Sequence, residues 1–489
     1  MALTSSDTNL ATLVVNKCTK EQYDAMSNKS INELYIVPED IDTTPRQNSE
    51  LPITSGAVYD ALQEVYRRFP YYTIYGVQWD TADPSPECVR IGNSSLHVTL
   101  PVQSGMVGGT LTDEGVFTPF THTDDWTSET RDGSIGQVMV KIPRHWRRFE
   151  FDGTIVRLLM SATPVEGFME VPEQFCSAYE AALDRTNLKL ASVVNTTAQY
   201  RGGNNNAAWD SEDTAGQGGE SHRSLLGRPA TSIDLTNFRT YARARKSGET
   251  WWNCNTYEVQ RALYWLYVCE YATLNSQKAY DASTTTEGYK KGGLGDGVST
   301  WTGDAWNSFN SYYPFVPCGW TDTLGNGSGV RNYTVFNASG TALKTFAVPR
   351  YRGIENPWGH IWKHTDGILC NVTASTSPIY ATDNPADFSS SSYSAMRLIG
   401  NEMRNEAYIK ELHLGENGDI TAKSGNGSST SYYCDYHYTN TSSTGLRAVL
   451  FGGSALDGAL GGFVRSDTGG APARTAAHIG SRLCFKRTT

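Results

Sequence analysis

Leu450-Phe451-Gly452-Gly453-Ser454 opens the last forty residues of this 489-residue chain, and Ile479-Gly480-Ser481-Arg482-Leu483-Cys484-Phe485 nearly closes them. Leu446 to Phe451 is short, apolar and rich in strand formers. Ile479 to Phe485 alternates at period two, broken by Gly480, so both ends predict sheet strands. Between them, Ser454 to His478 sets Leu456, Asp457, Leu460, Phe463, Arg465, Asp467, Gly469, Gly470, Arg474, Ala476 and His478 among small residues, without a single Lys, Glu, Gln, Met or Trp. A solvated loop of this length ordinarily draws on Lys, Glu and Gln. The residues present are those that codons ending in C or T can specify. A plain glycine-rich surface loop shares this outline and stays open as the alternative.

Outside this stretch the composition is that of a folded, loop-rich chain. With 39% apolar residues, 46 Gly, 27 Tyr and 12 Trp, the sequence predicts two or three aromatic-rich domains with a sizeable core. A formal charge of -10 spread along the chain argues against a nucleic-acid partner, which needs a basic face. No run of eighteen apolar residues occurs, so no membrane insertion is expected, and the N-terminus shows no secretory pattern. The nine cysteines contain no Cys-x-x-Cys pair and predict buried free thiols. Asn-x-Ser/Thr triplets such as Asn332-Tyr333-Thr334 are taken as composition.

In chain order, residues 1–70 are polar, with a strand at Glu33 to Val37 and, after a proline-bearing linker, a short helix carrying Val58, Leu62 and Val65 on one face. Such a helix needs a partner, either copies of itself or this chain's own body. From Tyr71 to about Leu158, strands are predicted at Tyr75 to Trp79, Ser95 to Leu100, Gln137 to Ile142 and Ile155 to Met160. The basic cluster Arg144 to Arg148 is expected on an amphipathic edge strand continuing to Phe151. Asp234 should cap a helix over Leu235 to Ala244. A stronger helix, Thr256 to Leu274, starts at a capping-box-like Asn255 with Glu258 and is aromatic nearly all round, which predicts burial between layers. Gly292 to Val316 lacks the Lys-Ser/Thr of a phosphate-binding loop and is not expected to open a helix. His360 and His364 are four apart, but Pro357 and Gly359 favour strand and turn over a metal-binding helix. Asp210 to Asp213 lacks the EF-hand glycine and is expected to be a solvated loop.

Two groups of residues carry a family resemblance. The C-terminal Gly452-Gly453-Ser454-Ala455 and Ile479-Gly480-Ser481-Arg482-Leu483, with Arg352-Gly353-Ile354-Glu355, Trp358-Gly359-His360-Ile361-Trp362, Asp366-Gly367 and the two helices, resemble proteins diversified by diversity-generating retroelements in phages and gut bacteria. The resemblance covers about 175–485. It implies an α+β fold with a C-type lectin-like domain of the formylglycine-generating type, and a ligand-binding face built from the adenine-mutagenised codons. Leu51 to Leu62 resembles helices of phage tail-fibre proteins that assemble around a threefold axis. Enzymes of the fold use paired cysteines near the C-terminus. Here only Cys434 and Cys484 stand there, fifty residues apart, so no catalytic residue, metal or cofactor is expected.

The resulting expectation is a homotrimeric adhesin. Residues 1–70 attach to other virion tail proteins, 71–158 form a β-rich region, and 159–489 form the lectin-like domain with a variable face at about 450–482. The partner is a host cell-surface protein or glycan, and the location is the phage tail or, alternatively, a bacterial surface. In that face Leu456, Leu460 and Phe463 supply apolar contacts, Arg465 and Arg474 carboxylate contacts, and Asp457, Asp467 and His478 polar ones, with Gly469, Gly470 and Ala476 between them. Side chains from 454 to 478 are expected to point mostly to solvent, each exchange costing less than about 0.5 kcal/mol.

Overall fold

The computed structural model describes residues 72–203, 225–295, 300–337 and 340–487, and the backbone of 14–17 and 33–36. The chain divides into two compact units, Met1–Tyr72 and Thr73–Thr489. In the first, Val14–Lys17 pairs in parallel with Glu33–Ile36, the strand expected there. The expected helix through Val58 and Leu62, and the acidic stretch Asp210 to Asp213, lie outside the described residues.

The second unit is mixed α+β, mostly sheet with few helices. A five-stranded antiparallel sheet orders Met169–Val171, His145–Asp152, Ile155–Ser161, Tyr75–Asp80 and Val89–Gly92. His145–Asp152 alternates between buried and exposed as expected of an amphipathic strand. It is paired on both sides, however, not at the edge, and its Arg147 is buried and donates to Asn417 O at 2.7 Å. A six-stranded sheet runs Trp252–Cys254, Leu483–Phe485, Gln174–Ser177, Gln137–Ile142, Val107–Leu111 and Phe117–Pro119. The third large sheet holds Arg397–Asn401, Pro378–Ala381, Trp362–Val372, Gly445–Gly452, Gly462–Asp467, Tyr436–Tyr438 and Ala407–Tyr408 in that order.

Helix Tyr257–Tyr271 joins these layers, and all fifteen of its residues are buried. Trp265 stacks on Trp79 at 6.0 Å and meets Phe149 edge-on at 5.0 Å, both in the five-stranded sheet. One turn away, Tyr267 lies 5.2 Å from Phe463 in the third sheet. A helix with apolar side chains all round is stable only where every face has a partner, and here each does. Its buried charges are matched: Arg261 pairs with Asp383 at 2.6 Å and Asp419 at 3.2 Å, and Glu270 with Arg352 at 2.6 Å. The cap is Thr256, whose hydroxyl accepts from Val259 N at 3.2 Å; Asn255 instead donates to Thr365 Oγ1 at 2.9 Å. Helix Leu235–Arg243 starts at Asp234 as expected, the carboxylate accepting from Asn237 N at 2.8 Å.

Three expectations are corrected. Ser95 to Leu100, expected as a strand, lies in helix Ser94–Thr99, because Asn93 caps it and satisfies Ser95 N at 3.0 Å. Helix Gly303–Asn310 lies within the glycine-rich run 292–316, its Trp306 buried among Trp301, Phe309 and Phe315. Ile479 to Phe485 is not one half-buried strand. Ile479–Gly480 pairs with Trp362–Lys363 in the third sheet, while Leu483–Phe485 inserts between Gln174–Ser177 and Trp252–Cys254 in another. Between them, buried Arg482 donates to Ser177 O at 3.1 Å, Asn356 O at 2.6 Å and Glu355 O. Sharing one guanidinium among three carbonyls forces the chain to change sheets at this point.

Candidate functional site

Strand Gly445–Gly452 is flanked by Trp362–Val372 on one side and Gly462–Asp467 on the other. Gly452 and Gly453 have φ of 100° and 80°, where a side chain is strained, and a Cβ on Gly453 would stand 3.2 Å from Gly461 Cα. The chain therefore turns sharply and re-enters the sheet. The expectation that 454–478 points mostly to solvent is overturned over its middle: Ser454, Ala455 and 461–468 are buried. Phe463 is 0% exposed, 4.9 Å from the ring of Trp358, and its carbonyl accepts from Gln260 Nε2 at 2.7 Å. Behind this strand, Asp435 accepts from Val464 N and Ser276 Oγ at 2.9 Å each, and burial pushes its carboxyl up to about 8. Glu402 is likewise raised to about 8 by burial, and His437, lowered to about 3 by burial and then by Arg465, bonds Ser466 Oγ at 2.8 Å.

What remains accessible is two loops, 456–460 and 469–478, each tied to the buried strand by one ion pair. Arg465 lies between the rings of Trp362 at 5.1 Å and Tyr436 at 4.9 Å, and its Nη2 donates to Asp457 Oδ1 of the first loop at 2.8 Å. Asp457 Oδ2 accepts from Ser454 N at 2.7 Å, closing that loop on itself. Leu456 packs against the Trp301–Trp306 cluster, and Leu460 stays half-exposed. In the second loop the signs reverse. Asp467 Oδ2 on the strand accepts from Arg474 Nη1 at 2.8 Å, and its Oδ1 accepts from Gly469 N at 2.6 Å.

The second loop is also pinned through its backbone. Gly470 O accepts from Ala448 N at 3.0 Å, and Ala476 O from Ser232 N at 3.0 Å. Ala476 rests on Trp362, Leu450 and Ile479. His364 Nε2 donates to Arg474 O at 3.0 Å; burial lowers this imidazole to about 4, so it is neutral near pH 7. His478 faces Trp306 and Tyr312 at 6.3 and 6.0 Å, its own basicity lowered first by burial and then by Arg474. Ala471, Ala473 and Thr475 are exposed.

The eleven expected face residues thus separate. Leu456, Asp457, Leu460, Gly469, Gly470, Arg474, Ala476 and His478 lie in the two loops and are partly exposed, whereas Phe463, Arg465 and Asp467 are buried in the strand beneath them. Sequence reasoning missed the half-exposed Tyr312, Tyr436 and Tyr438 beside them. Tyr438 closely approaches Gly469, where an added Cβ would meet its ring at 2.6 Å. The run Tyr432-Tyr433-Cys434-Asp435-Tyr436-His437-Tyr438 was the available signal.

His360 does not share a site with His364. Its Nδ1 meets Glu180 Oε2 at 2.7 Å, and its Nε2 accepts from Phe315 N and Val316 N at 3.2 Å each. Lys363 completes this buried group at 3.2 Å from Glu180, and burial lowers its ammonium to about 8. Burial alone would raise Glu180, but Lys363 and His360 outweigh it and hold the carboxyl at about 2. The described cysteines are free and all but Cys88 are buried. Burial pushes Cys434 up to about 12 and Cys484 well above its ordinary range, so neither thiol ionises readily into a nucleophile.

No protein-family model matches the sequence, and no curated protein matches it. Among solved structures, the chain is similar to the Major Tropism Determinant I1 Variant at 11% identity and a TM-score of 0.20, over 70% of this chain and 72% of that one. It is also similar to the Major Tropism Determinant P3c Variant at 11% identity and a TM-score of 0.19, over 96% and 98% of the two chains. At these scores the link is loose and establishes no common fold.

Proposed function

We propose that this chain is a receptor-binding adhesin of a phage tail, with the loops 456–460 and 469–478 as its ligand face. The observation that carries this reading is the division of labour around Gly462–Asp467. The strand presents one cation and one anion, each loop supplies the counter-charge, and the loops between are made of small residues that can be exchanged without entering the core. Half-exposed tyrosines beside them offer the rigid amphipathic contacts typical of recognition surfaces. The codon bias of the segment adds the second support, since a retroelement that replaces adenines yields only such residues.

In this reading the surrounding domain is a C-type lectin-like scaffold of the formylglycine-generating type without enzymatic activity. The first seventy residues form a trimer and attach it to other tail proteins, and weak binding at each site is multiplied by the copies on the particle. The ligand is a protein or glycan of the host surface. The raised Cys434 and Cys484 thiols speak against the enzyme alternative. Export to a bacterial surface is the second setting for the same binding chemistry.

Deep sequencing of the gene across a population of its source tests the proposal. Changes should concentrate at adenine-bearing codons in 456–460 and 469–478 and spare Gly452, Gly453, Gly480 and Arg482. A segment as invariant as the two hundred codons before it would remove the diversified-face reading.

A further inference from the structure

A second cavity stands apart from the two loops and does not rest on the receptor-binding reading. Helix Leu235–Arg243 begins where Leu235 N donates to Pro472 O at 3.2 Å, beside the second loop. The cavity lies past its other end, roughly 15 Å away at about 1.5 Å per residue. There a cavity of about 290 Å³ is lined by Asp113, Gln137, Asn187, Lys189, Tyr200 and Arg245 among others. It has room for roughly ten waters at about 30 Å³ each, the space of a single sugar ring.

Its charges cancel. Asp113 accepts from Arg245 Nη1 at 2.6 Å through one oxygen and from Lys189 Nζ at 3.1 Å through the other. Asp184, the second carboxylate, is saturated by Thr186 N, Asn187 N, Asn187 Nδ2 and Gln199 Nε2. Two cations against two carboxylates leave no net charge to attract an anion or a metal ion. Open hydrogen-bonding capacity remains nevertheless. Arg245 Nη2 and Gln137 Nε2 make no bond among the described residues, while Gln137 Oε1 is held by Ser192 N at 2.9 Å.

The groups are also fixed in place before any ligand arrives. Arg245 is buried, its Nε donates to Leu190 O, and its guanidinium lies 5.7 Å from the Trp252 ring. Gly133, at φ 91°, keeps the wall beside Tyr200 bare, since a Cβ there would stand 3.3 Å from the phenol oxygen. A neutral, preorganised set of donors and acceptors beside a half-buried aromatic ring suits a ligand that is a polyol on its edges and apolar on one face.

We propose that this cavity binds one neutral hexose unit, its hydroxyls on Asp113, Gln137 and Arg245 and its C–H face against Tyr200. Saturation-transfer NMR on the full chain tests it, using the methyl glycosides of glucose, galactose and mannose, with glucuronate and inorganic phosphate as charged probes. At least one neutral glycoside should titrate with a Kd of about 1–10 mM, the range of a few kcal/mol of binding. Arg245→Gln should weaken it at least tenfold. Because Arg245 is buried, half-buried Tyr200→Ala provides the second variant, with the same expected loss and an unchanged circular dichroism spectrum. Competition by dextran, galactan or mannan identifies a glycan unit, whereas competition by the methyl glycoside alone identifies a free sugar. The assignment is overturned if no neutral glycoside shows transfer, if only glucuronate or phosphate binds, or if both folded variants bind undiminished. Neither variant touches 456–478, so a failure here leaves the adhesin reading standing.

Discussion

Strand Gly462–Asp467 and loop 469–478 are neighbours in sequence and alike in composition, yet their environments are opposite. Every residue of the strand is buried, whereas most of the loop is partly or fully exposed. The difference comes from what stands opposite each. The strand is sandwiched between Gly445–Gly452 and Tyr436–Tyr438 and backed by helix Tyr257–Tyr271, while the loop meets the domain through a few backbone bonds and one ion pair. Tolerance to substitution is therefore a property of position in the sheet, and composition alone does not report it.

The comparison breaks most visibly at Phe463. Phe463→Ala should cost about 3–5 kcal/mol, because it empties a site bounded by Tyr264, Tyr267, Tyr351 and Trp358. Chemical denaturation measures it, and a loss below about 1 kcal/mol would mean that the strand is not core. Arg465→Ala should follow at about 2–4 kcal/mol, since it removes a buried cation from between two rings and strips Asp457 of its partner.

Asp435 sharpens the comparison through pH. Its folded pKa of about 8 lies above the ordinary carboxyl value, so the folded state holds this proton where the unfolded state has released it. The contribution is complete below about pH 4 and is lost as pH rises towards 8. Asp435→Asn keeps the shape and cannot ionise. Its stability relative to the parent should therefore rise by a few kcal/mol between pH 5 and pH 8, as read from paired denaturation curves. Parallel pH profiles for the two proteins would show that this carboxyl is not buried as a neutral acid.

Arg474→Ala should cost only about 0.5–1 kcal/mol, as its side chain is 35% exposed and its pair with Asp467 is partly screened. Smallest of all, exchanges at exposed Ala471, Ala473 and Thr475 should stay within about 0.5 kcal/mol. A thermal-shift series through these three positions checks the tolerant end of the scale; losses approaching that of Arg465→Ala would abolish the distinction between loop and strand.

Local signals predicted much of the scaffold. Gly445–Gly452, Gln137–Ile142 and Ile155–Ser161 follow from runs of strand formers, and Leu235–Arg243 and Tyr257–Tyr271 from helical periodicity with a capping side chain. Asn255 and Thr256 are both good caps, and only the bond from Asn255 to Thr365, a residue 110 positions away, assigns the role to Thr256. The candidate face was legible as a segment but not as a surface. Gly-Phe-Val-Arg-Ser-Asp has too little alternation to announce a strand, and one of its neighbours, Tyr436–Tyr438, pairs with it in parallel across an intervening strand and turn.

The sequence by itself determined where the chain turns, which helix is buried, and that 454–478 draws on a restricted set of residues, because caps, glycines and periodicity act over a few residues. Only the tertiary structure decided that Phe463, Arg465 and Asp467 belong to the interior while Leu456 to Leu460 and Gly469 to His478 face outward. It likewise decided that Ile479–Gly480 and Leu483–Phe485 part into separate sheets at Arg482. The physical reason is common to both: burial and strand pairing depend on what lies opposite, and the partners here come from the distant Trp358, Tyr436 and Ser177.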